Sequence, residues 1–257
     1  MELVITHKNG VCELKLNRPT VFNSFNRSMA IELQNALDAC EKDDAVRAIV
    51  ITGEGKAFCA GQDLAEATDP NGPDMKNIVE LTYNPIILKI RSIEKPIIAA
   101  VNGVAAGAGA NIALACDITI AKKSASFIQA FSKIGLIPDS GGTYFLPRII
   151  GMQKAAALMF TGDKVSADAA VEMNMIFKSV EDDQFENEVS LFAQNLAAMP
   201  TKGIGLTKRL LNQSFANTLE EQLLQEGVEQ TVAGETYDFK EGVAAFLEKR
   251  APVFIGK

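Results

Sequence analysis

Apolar positions along the chain fall into two kinds of short pattern. Cys12, Leu14 and Leu16 alternate with Glu13 and Lys15, the period of a strand with one buried face. Residues 48–52 and Ile97–Val101 are unbroken apolar or β-branched runs, which predict strands buried on both faces. Residues 117–121 read as one more strand. Met29, Leu33, Leu37 and Cys40 recur instead at helical spacing, with Asn26 placed to cap that helix. Helices are also predicted over residues 85–93, with Pro85 in the first turn, and over 108–115, 140–149 and 151–160. Ser166 caps another, running through Ala170 and Met173. Residues 53–63 read as a Gly-containing loop. Residues 69–74, with two prolines, a glycine and two aspartates, read as a mobile one.

From residue 182 onward the pattern is helical throughout. Phe185, Val189, Phe192 and Leu196 keep helical spacing, Thr201 and Thr218 cap two further helices, and Asp238 caps a last one carrying Val243, Phe246 and Leu247. The chain therefore divides into an α/β core over residues 1–195 and a helical module over 196–257, with no linker-like stretch between them. Strands alternating with helices would suit a doubly wound sheet. However, no GxGxxG follows the first strand and no GxxxxGK[ST] occurs, so the usual dinucleotide and phosphate-loop signatures are missing.

Composition narrows the function. The 257 residues, 47% hydrophobic and 22% charged, make a globular chain with a sizeable core and exclude disorder as the main reading. The net charge of −7 argues against a general nucleic-acid binder, although a local basic patch could still hold an anionic substrate. Cys12, Cys40, Cys59 and Cys116 form no CxxC pair, and with a single histidine there is no zinc-ligand pattern; no metal site is expected. The four thiols read as buried and reduced, in a cytoplasmic protein. The N-terminus has no signal-peptide pattern, and no apolar run reaches the roughly 18 residues of a membrane span. His7, in a polar segment, reads as a surface residue. Histidine-dependent nucleophilic triads are thereby disfavoured, and acid–base chemistry falls to carboxylates.

Three segments carry candidate chemistry. The first is Lys56-Ala57-Phe58-Cys59-Ala60-Gly61-Gln62-Asp63-Leu64. The second runs from Pro96-Ile97-Ile98-Ala99-Ala100-Val101-Asn102-Gly103 through Val104-Ala105-Ala106-Gly107-Ala108-Gly109. The third is Ile134-Gly135-Leu136-Ile137-Pro138-Asp139-Ser140-Gly141-Gly142. The second segment reads as a buried strand, a turn and a Gly/Ala-rich helix start. Small residues there let a ligand approach the backbone, and free N–H groups at a helix N-terminus favour a negative oxygen. Alone, the run is explained as well by tight strand–helix packing.

In this order and spacing the three segments resemble the crotonase superfamily, the enoyl-CoA hydratase/isomerase family. The resemblance extends from about Val11 to Glu248-Lys249-Arg250-Ala251-Pro252 and includes Thr161-Gly162-Asp163-Lys164-Val165-Ser166-Ala167. It implies an α/β spiral of repeated β-β-α turns with a C-terminal helical module for trimerisation, and trimers that can pair into hexamers. It also implies an acyl-CoA substrate, with coenzyme A part of that substrate and no separate cofactor. The thioester oxygen would sit between the backbone N–H groups of Gln62 and Ala108. Ala60, Gln62, Asp63 and Leu64 would contact coenzyme A, and Lys249 would meet its phosphates, from its own or a neighbouring subunit. Asn111 and Phe131 stand where hydratases of the family carry two glutamates, so the two-glutamate route lacks both carboxylates; here these residues would line the acyl pocket.

Asp139 is a carboxylate where those hydratases have glycine. Its segment, with residues 126–131, most resembles bacterial phenylacetate-pathway isomerases, which convert an epoxyphenylacetyl-CoA into an oxepin-CoA and move enoyl-CoA double bonds. One carboxylate suffices to move a proton between carbons. Phe131, Ile134 and Ile137 are expected to raise its pKa by desolvation. Taken alone, Asp139 reads better as a helix N-cap, and the resemblance is what tips it to catalysis. An atypical enoyl-CoA hydratase and a non-catalytic acyl-CoA-binding member are the alternatives. The related 4-chlorobenzoyl-CoA dehalogenases use an aspartate at this position, but with a tryptophan at the Phe131 position and a histidine, whereas this chain has no tryptophan and its one histidine is His7. Asp63, Asn102 and Asp117 read as holding loops and turns, and Phe246 as core packing.

Overall fold

A computed structural model describes residues 1–257. Ten strands are present: β1 Leu3–Lys8, β2 Val11–Leu16, β3 Ala48–Gly53, β4 Ala57–Cys59, β5 Ile97–Val101, β6 Val104–Ala106, β7 Ile118–Lys122, β8 Ser126–Ile128, β9 Lys164–Ser166 and β10 Lys178–Val180. The helices are α1 Arg27–Lys42, α2 Leu64–Ala67, α3 Met75–Asn77, α4 Asn84–Ser92, α5 Ala108–Ala115, α6 Gly142–Ile150, α7 Met152–Thr161, α8 Ala167–Glu172, α9 Phe185–Ala197, α10 Thr201–Gln213, α11 Leu219–Glu235 and α12 Tyr237–Glu248. A π-helical stretch, Ile78–Tyr83, joins α3 to α4.

Two sheets form, in the orders β1-β2-β3-β5-β7-β10 and β4-β6-β8-β9. From β3 to β8 successive strands alternate between them, so each turn of the chain lays one strand in each sheet. The result is a spiral, as the resemblance implied. The pairs β2–β3, β3–β5, β5–β7, β4–β6 and β6–β8 are parallel, while β1–β2 and β8–β9 are antiparallel.

The long apolar strands are buried on both faces for a reason visible in their period. Ile49 and Ile51 of β3 and Ile97, Ala99 and Val101 of β5 face the main core, with Leu33 and Leu37 of α1 and Ile86 and Ile90 of α4. Val50, Ile98, Ala100 and Ile120 face the other way, onto Phe185, Val189 and Ala193 of α9. Asn26 caps α1, its Oδ1 accepting from Met29 N at 2.8 Å. Ser166 caps α8, and Thr218 forms a capping box with Glu221 on α11.

Several sequence expectations are corrected. The 53–63 loop contains β4. Thr201 is the first residue of α10, after Pro200, and its hydroxyl accepts from Arg47 Nε instead of capping. Thr236, and not Asp238, caps α12; Asp238 is buried and accepts from Ile255 N and Gly256 N, holding the C-terminal strand of chain. The helix expected from residue 140 starts at Gly142, because Ser140 (φ 51°) and Gly141 (φ 74°) take left-handed backbone. Phe246 is 83% exposed and so is not core.

A buried ionic cluster fastens α10 to the core. Asp117, just before β7, accepts from Ile97 N at 2.8 Å and pairs with Arg91 of α4 at 3.1 Å and Lys208 of α10 at 2.7 Å. Lys208 Nζ also donates to the carbonyl of Ile90 at 2.7 Å. Burial lowers the Lys208 pKa, and the adjacent Asp117 opposes that shift. Asp117 thus joins elements far apart in sequence instead of holding a local turn. All four cysteines are free and buried. No helix is long and apolar enough to cross a membrane.

Candidate active site

The site is assembled where the β4 turn, the start of α5 and the loop before α6 meet. After β4 the chain turns through Gly61, whose φ of +95° favours glycine. Phe25 N donates to Gly61 O at 2.7 Å and Asp63 N donates to Phe25 O at 2.8 Å. This one-residue parallel bridge uses the groups on either side of Gln62, so the Gln62 N–H points away from Phe25. Asp63 caps α2 through Ala65 N at 3.0 Å and pairs with Arg18 at 2.8 Å. Its carboxylate is therefore committed to the loop, as the turn-holding reading expected. Ala60 and Leu64 on either side are exposed.

The second element comes against the first at van der Waals distance. A Cβ on Gly61 would lie 3.6 Å from Ala108 N, and one on Gly109 would lie 2.4 Å from Cys59 O. Only a residue without a side chain lets α5 start this close to β4. Ala108 is the first residue of α5, where backbone N–H groups have no carbonyl partner in their own helix. Asn102 fixes the approach from behind, its Oδ1 accepting from Gly53 N at 3.1 Å and its Nδ2 donating to Gly55 O and Ala57 O. The Phe131 ring stands beside Gly107, its Cζ 3.8 Å from where a Cβ would project.

Asp139 lies in the loop before α6. It does not cap that helix; Gly141 occupies the cap position. Its carboxylate Oδ1 accepts from Ser140 Oγ at 2.9 Å, and it takes part in no ion pair. Burial raises its pKa, against the lowering effect of the Ser140 hydroxyl and its own backbone N–H. The source of burial differs from the sequence expectation. Ile134 and Ile137 are 56% and 82% exposed, so of the three expected neighbours only Phe131 is buried.

Asn111 has no exposed surface. Its Nδ2 donates to the main-chain oxygen of Asp139 at 2.9 Å, and its Oδ1 accepts from Gln129 Nε2 at 2.8 Å. Expected to line the acyl pocket, it instead spends its amide on holding the Asp139 loop. Lys249 stands apart, in left-handed backbone at the exposed end of α12. Among the expected residues, the structure thus gathers Gln62, Ala108, Asn111, Phe131 and Asp139.

Sequence reasoning missed Tyr83, Gln129 and Ser140. Tyr83 is fully buried, and its hydroxyl donates to Gln62 Oε1 at 2.8 Å. Burial first, then the charges of Cys59, Asp139 and Glu66, hold its phenol well above the ordinary range. Ser140 had one legible signal, its place directly after Asp139. No group of three or more His, Cys, Asp or Glu side chains is placed to hold a metal ion.

The arrangement brings the turn that carries Gln62 against the first residue of α5, and Asn111 of the same helix ties down the loop that carries the partly desolvated Asp139 carboxylate. Such a set can stabilise a developing oxyanion and move a proton. Comparison with known proteins gives the family. The family described as enoyl-CoA hydratase/isomerase matches residues 6–257. The chain is 47% identical to the 1,2-epoxyphenylacetyl-CoA isomerase of Escherichia coli K12 over the full length of both. It is 37% identical to the trans-2-decenoyl-[acyl-carrier-protein] isomerase of Streptococcus mutans, covering 100% of this chain and 98% of that protein. The crystal structure of an enoyl-CoA hydratase from Bacillus anthracis superposes with a TM-score of 0.93 at 31% identity, covering 100% of each chain. Fold and relatives converge, and the chain belongs to the enoyl-CoA hydratase/isomerase family, with its crotonase fold.

Proposed function

We propose that this protein is an acyl-CoA isomerase that uses Asp139 as its only proton carrier. Asp139 removes a proton from the carbon next to the thioester carbonyl. The electron pair moves into the conjugated system, and negative charge gathers on the thioester oxygen. The Gln62 and Ala108 N–H groups receive that charge. Protonated Asp139 then returns the proton to a carbon further along, so substrate and product are isomers. A 3-enoyl-CoA becomes a 2-enoyl-CoA in this way. The same proton shift on a ring-1,2-epoxide of phenylacetyl-CoA, which interconverts with its seven-membered oxepin form, gives the conjugated oxepin-CoA. The 47% identity to the Escherichia coli isomerase favours the aromatic substrate.

The observation that carries the reading is the pairing of one free, desolvated carboxylate with the lack of a second. Phe131 has no polar group, and the Asn111 amide is engaged at both ends. Hydration by two carboxylates has no second carboxylate to use. A non-catalytic acyl-CoA binder would have no need of a buried carboxylate free of any ion pair. The site is placed to accept coenzyme A along the exposed Ala60 and Leu64, with Lys249 as a candidate phosphate contact. The free, buried thiols fit a reducing compartment such as the cytoplasm.

Self-association through the C-terminal helices is part of this reading. Leu223, Leu224 and Val228 of α11 and Phe246 and Leu247 of α12 are all more than half exposed. An apolar surface of this extent suits a homotrimer, or a hexamer of paired trimers. Sedimentation analysis of Leu224→Glu against wild type tests it, with smaller particles expected from the variant.

The deciding experiment offers 3-hexenoyl-CoA and crotonyl-CoA to wild type and Asp139→Ala, following double-bond migration and hydration separately. Migration in wild type that disappears in the variant supports the isomerase. Hydration that survives in the variant overturns it.

A further inference from the structure

Tyr83 is a buried tyrosine whose ring alone would fill its place. The ring packs edge-to-face on Phe25, with centroids 5.8 Å apart. Phe25 in turn holds the Gln62 backbone through its bridge. The Tyr83 hydroxyl closes the triangle by donating to Gln62 Oε1 at 2.8 Å. On its other side the Gln62 amide donates to Glu66 Oε2 at 3.0 Å, and Glu66 Oε1 accepts from Arg27 N at 3.0 Å. Gln62 is thus fixed at main chain and side chain together. Tyr83 also ends the π-helical stretch, a form of helix found mostly as short insertions at functional sites. The widened turn precedes α4 and sets where the phenol comes to rest.

We infer that Tyr83 is a positioning residue for the oxyanion pair: its hydroxyl holds Gln62 so that the Gln62 N–H stays aimed at the substrate oxygen. The inference rests on the oxyanion role proposed for Gln62. Donor placement matters to tenths of an ångström in such a site, because the N–H must meet the charge as it forms. Two anchors on the main chain fix the ends of the turn; the side-chain anchor removes its remaining freedom to tilt. The phenol stays protonated and therefore remains a donor across the working pH range.

The test uses Tyr83→Phe, which keeps the ring and its packing. The probe is 2,4-hexadienoyl-CoA, a conjugated thioester whose absorption moves to longer wavelength when its carbonyl is polarised. Wild type is expected to shift the probe's absorption. Tyr83→Phe should bind the probe within about threefold of wild type yet lose half or more of that shift. Its kcat for migration in 3-hexenoyl-CoA should fall about tenfold with KM little changed, the signature of an interaction made in the transition state. Gln62→Ala should lose a similar amount, and the double variant no more than either alone. A Tyr83→Phe enzyme with the wild-type spectrum and kcat overturns the inference, as do losses that simply add. Wild type that shifts the probe but moves no double bond overturns the isomerase reading and leaves Tyr83 to be judged by the spectrum. Wild type that binds the probe without any shift overturns the oxyanion reading and the inference together.

Discussion

The Asn111 amide and the main-chain oxygen of Asp139 are joined by a 2.9 Å hydrogen bond. Asn111, where the resemblance implies a glutamate in the family's hydratases, holds the loop of a different carboxylate here. The exchange is local and complete: Asn111 donates forward to the Asp139 loop and accepts from Gln129 behind. Gly142 leaves room for it, since a Cβ there would fall 2.3 Å from Asn111 Nδ2.

Asn111→Ala should therefore damage both stability and rate. It strands the Gln129 amide donor and the Asp139 carbonyl, at a cost of about 1–3 kcal/mol. The looser Asp139 loop should lower kcat about tenfold or more. Urea denaturation and steady-state kinetics on one preparation measure the two effects.

Asp139→Asn should abolish isomerisation, a loss of about 100-fold or more, while making the fold more stable at neutral pH. Burial raises the Asp139 pKa above its unfolded value, so the ionised carboxylate is a native-state cost above that raised pKa. Asparagine removes the cost. The gain, on the order of 1 kcal/mol, should shrink as pH falls through the raised pKa and vanish below 3.8, where both states of wild type are protonated. Melting temperatures of the two proteins from pH 3 to pH 8 give the comparison.

Ser140→Ala should move the acid limb of the kcat/KM profile. The base must be ionised to act, so activity falls as pH drops through its pKa. The Ser140 hydroxyl stabilises the ionised form from 2.9 Å. Without it the limb moves to higher pH. A pH–rate series from pH 4 to pH 8 reads the direction, and a shift to lower pH would contradict the geometry.

Gly109→Ala should fail for steric reasons alone. Its Cβ would stand 2.4 Å from Cys59 O and 2.7 Å from Cys59 Sγ, so α5 and β4 must part. Overpacking of this kind costs typically about 1–3 kcal/mol, and the oxyanion donors would separate with the two elements. Circular dichroism melts, with binding of 2,4-hexadienoyl-CoA, follow both consequences.

How much of this could be read in the sequence depended on segment length. β3 and β5 were legible because five consecutive apolar or β-branched residues suffice to mark a doubly buried strand. β4, β6, β8, β9 and β10 have three residues each, too few to display a period. β1 has only Leu3 buried, so it shows no alternation. Asp139, Gln62 and Ala108 could be singled out because their motifs are contiguous. Tyr83 and Gln129 were not, because their partners lie 21 and 18 residues away in sequence. Ile134 and Ile137 misled, because apolar side chains next to a carboxylate in sequence can point to solvent from a loop.

Asp117 is shared by β5 through Ile97, α4 through Arg91 and α10 through Lys208. The division expected near residue 195 is consequently one of topology and not of melting. Pulling α10 away would strip Lys208 from the partly buried Asp117–Arg91 pair, and removing one partner from a buried ionic network is costly. The two parts are therefore expected to lose their structure together. In a calorimeter the protein should show one endotherm, with its calorimetric and van't Hoff enthalpies in agreement. Asp117→Ala, which cuts all three ties, should split or broaden it.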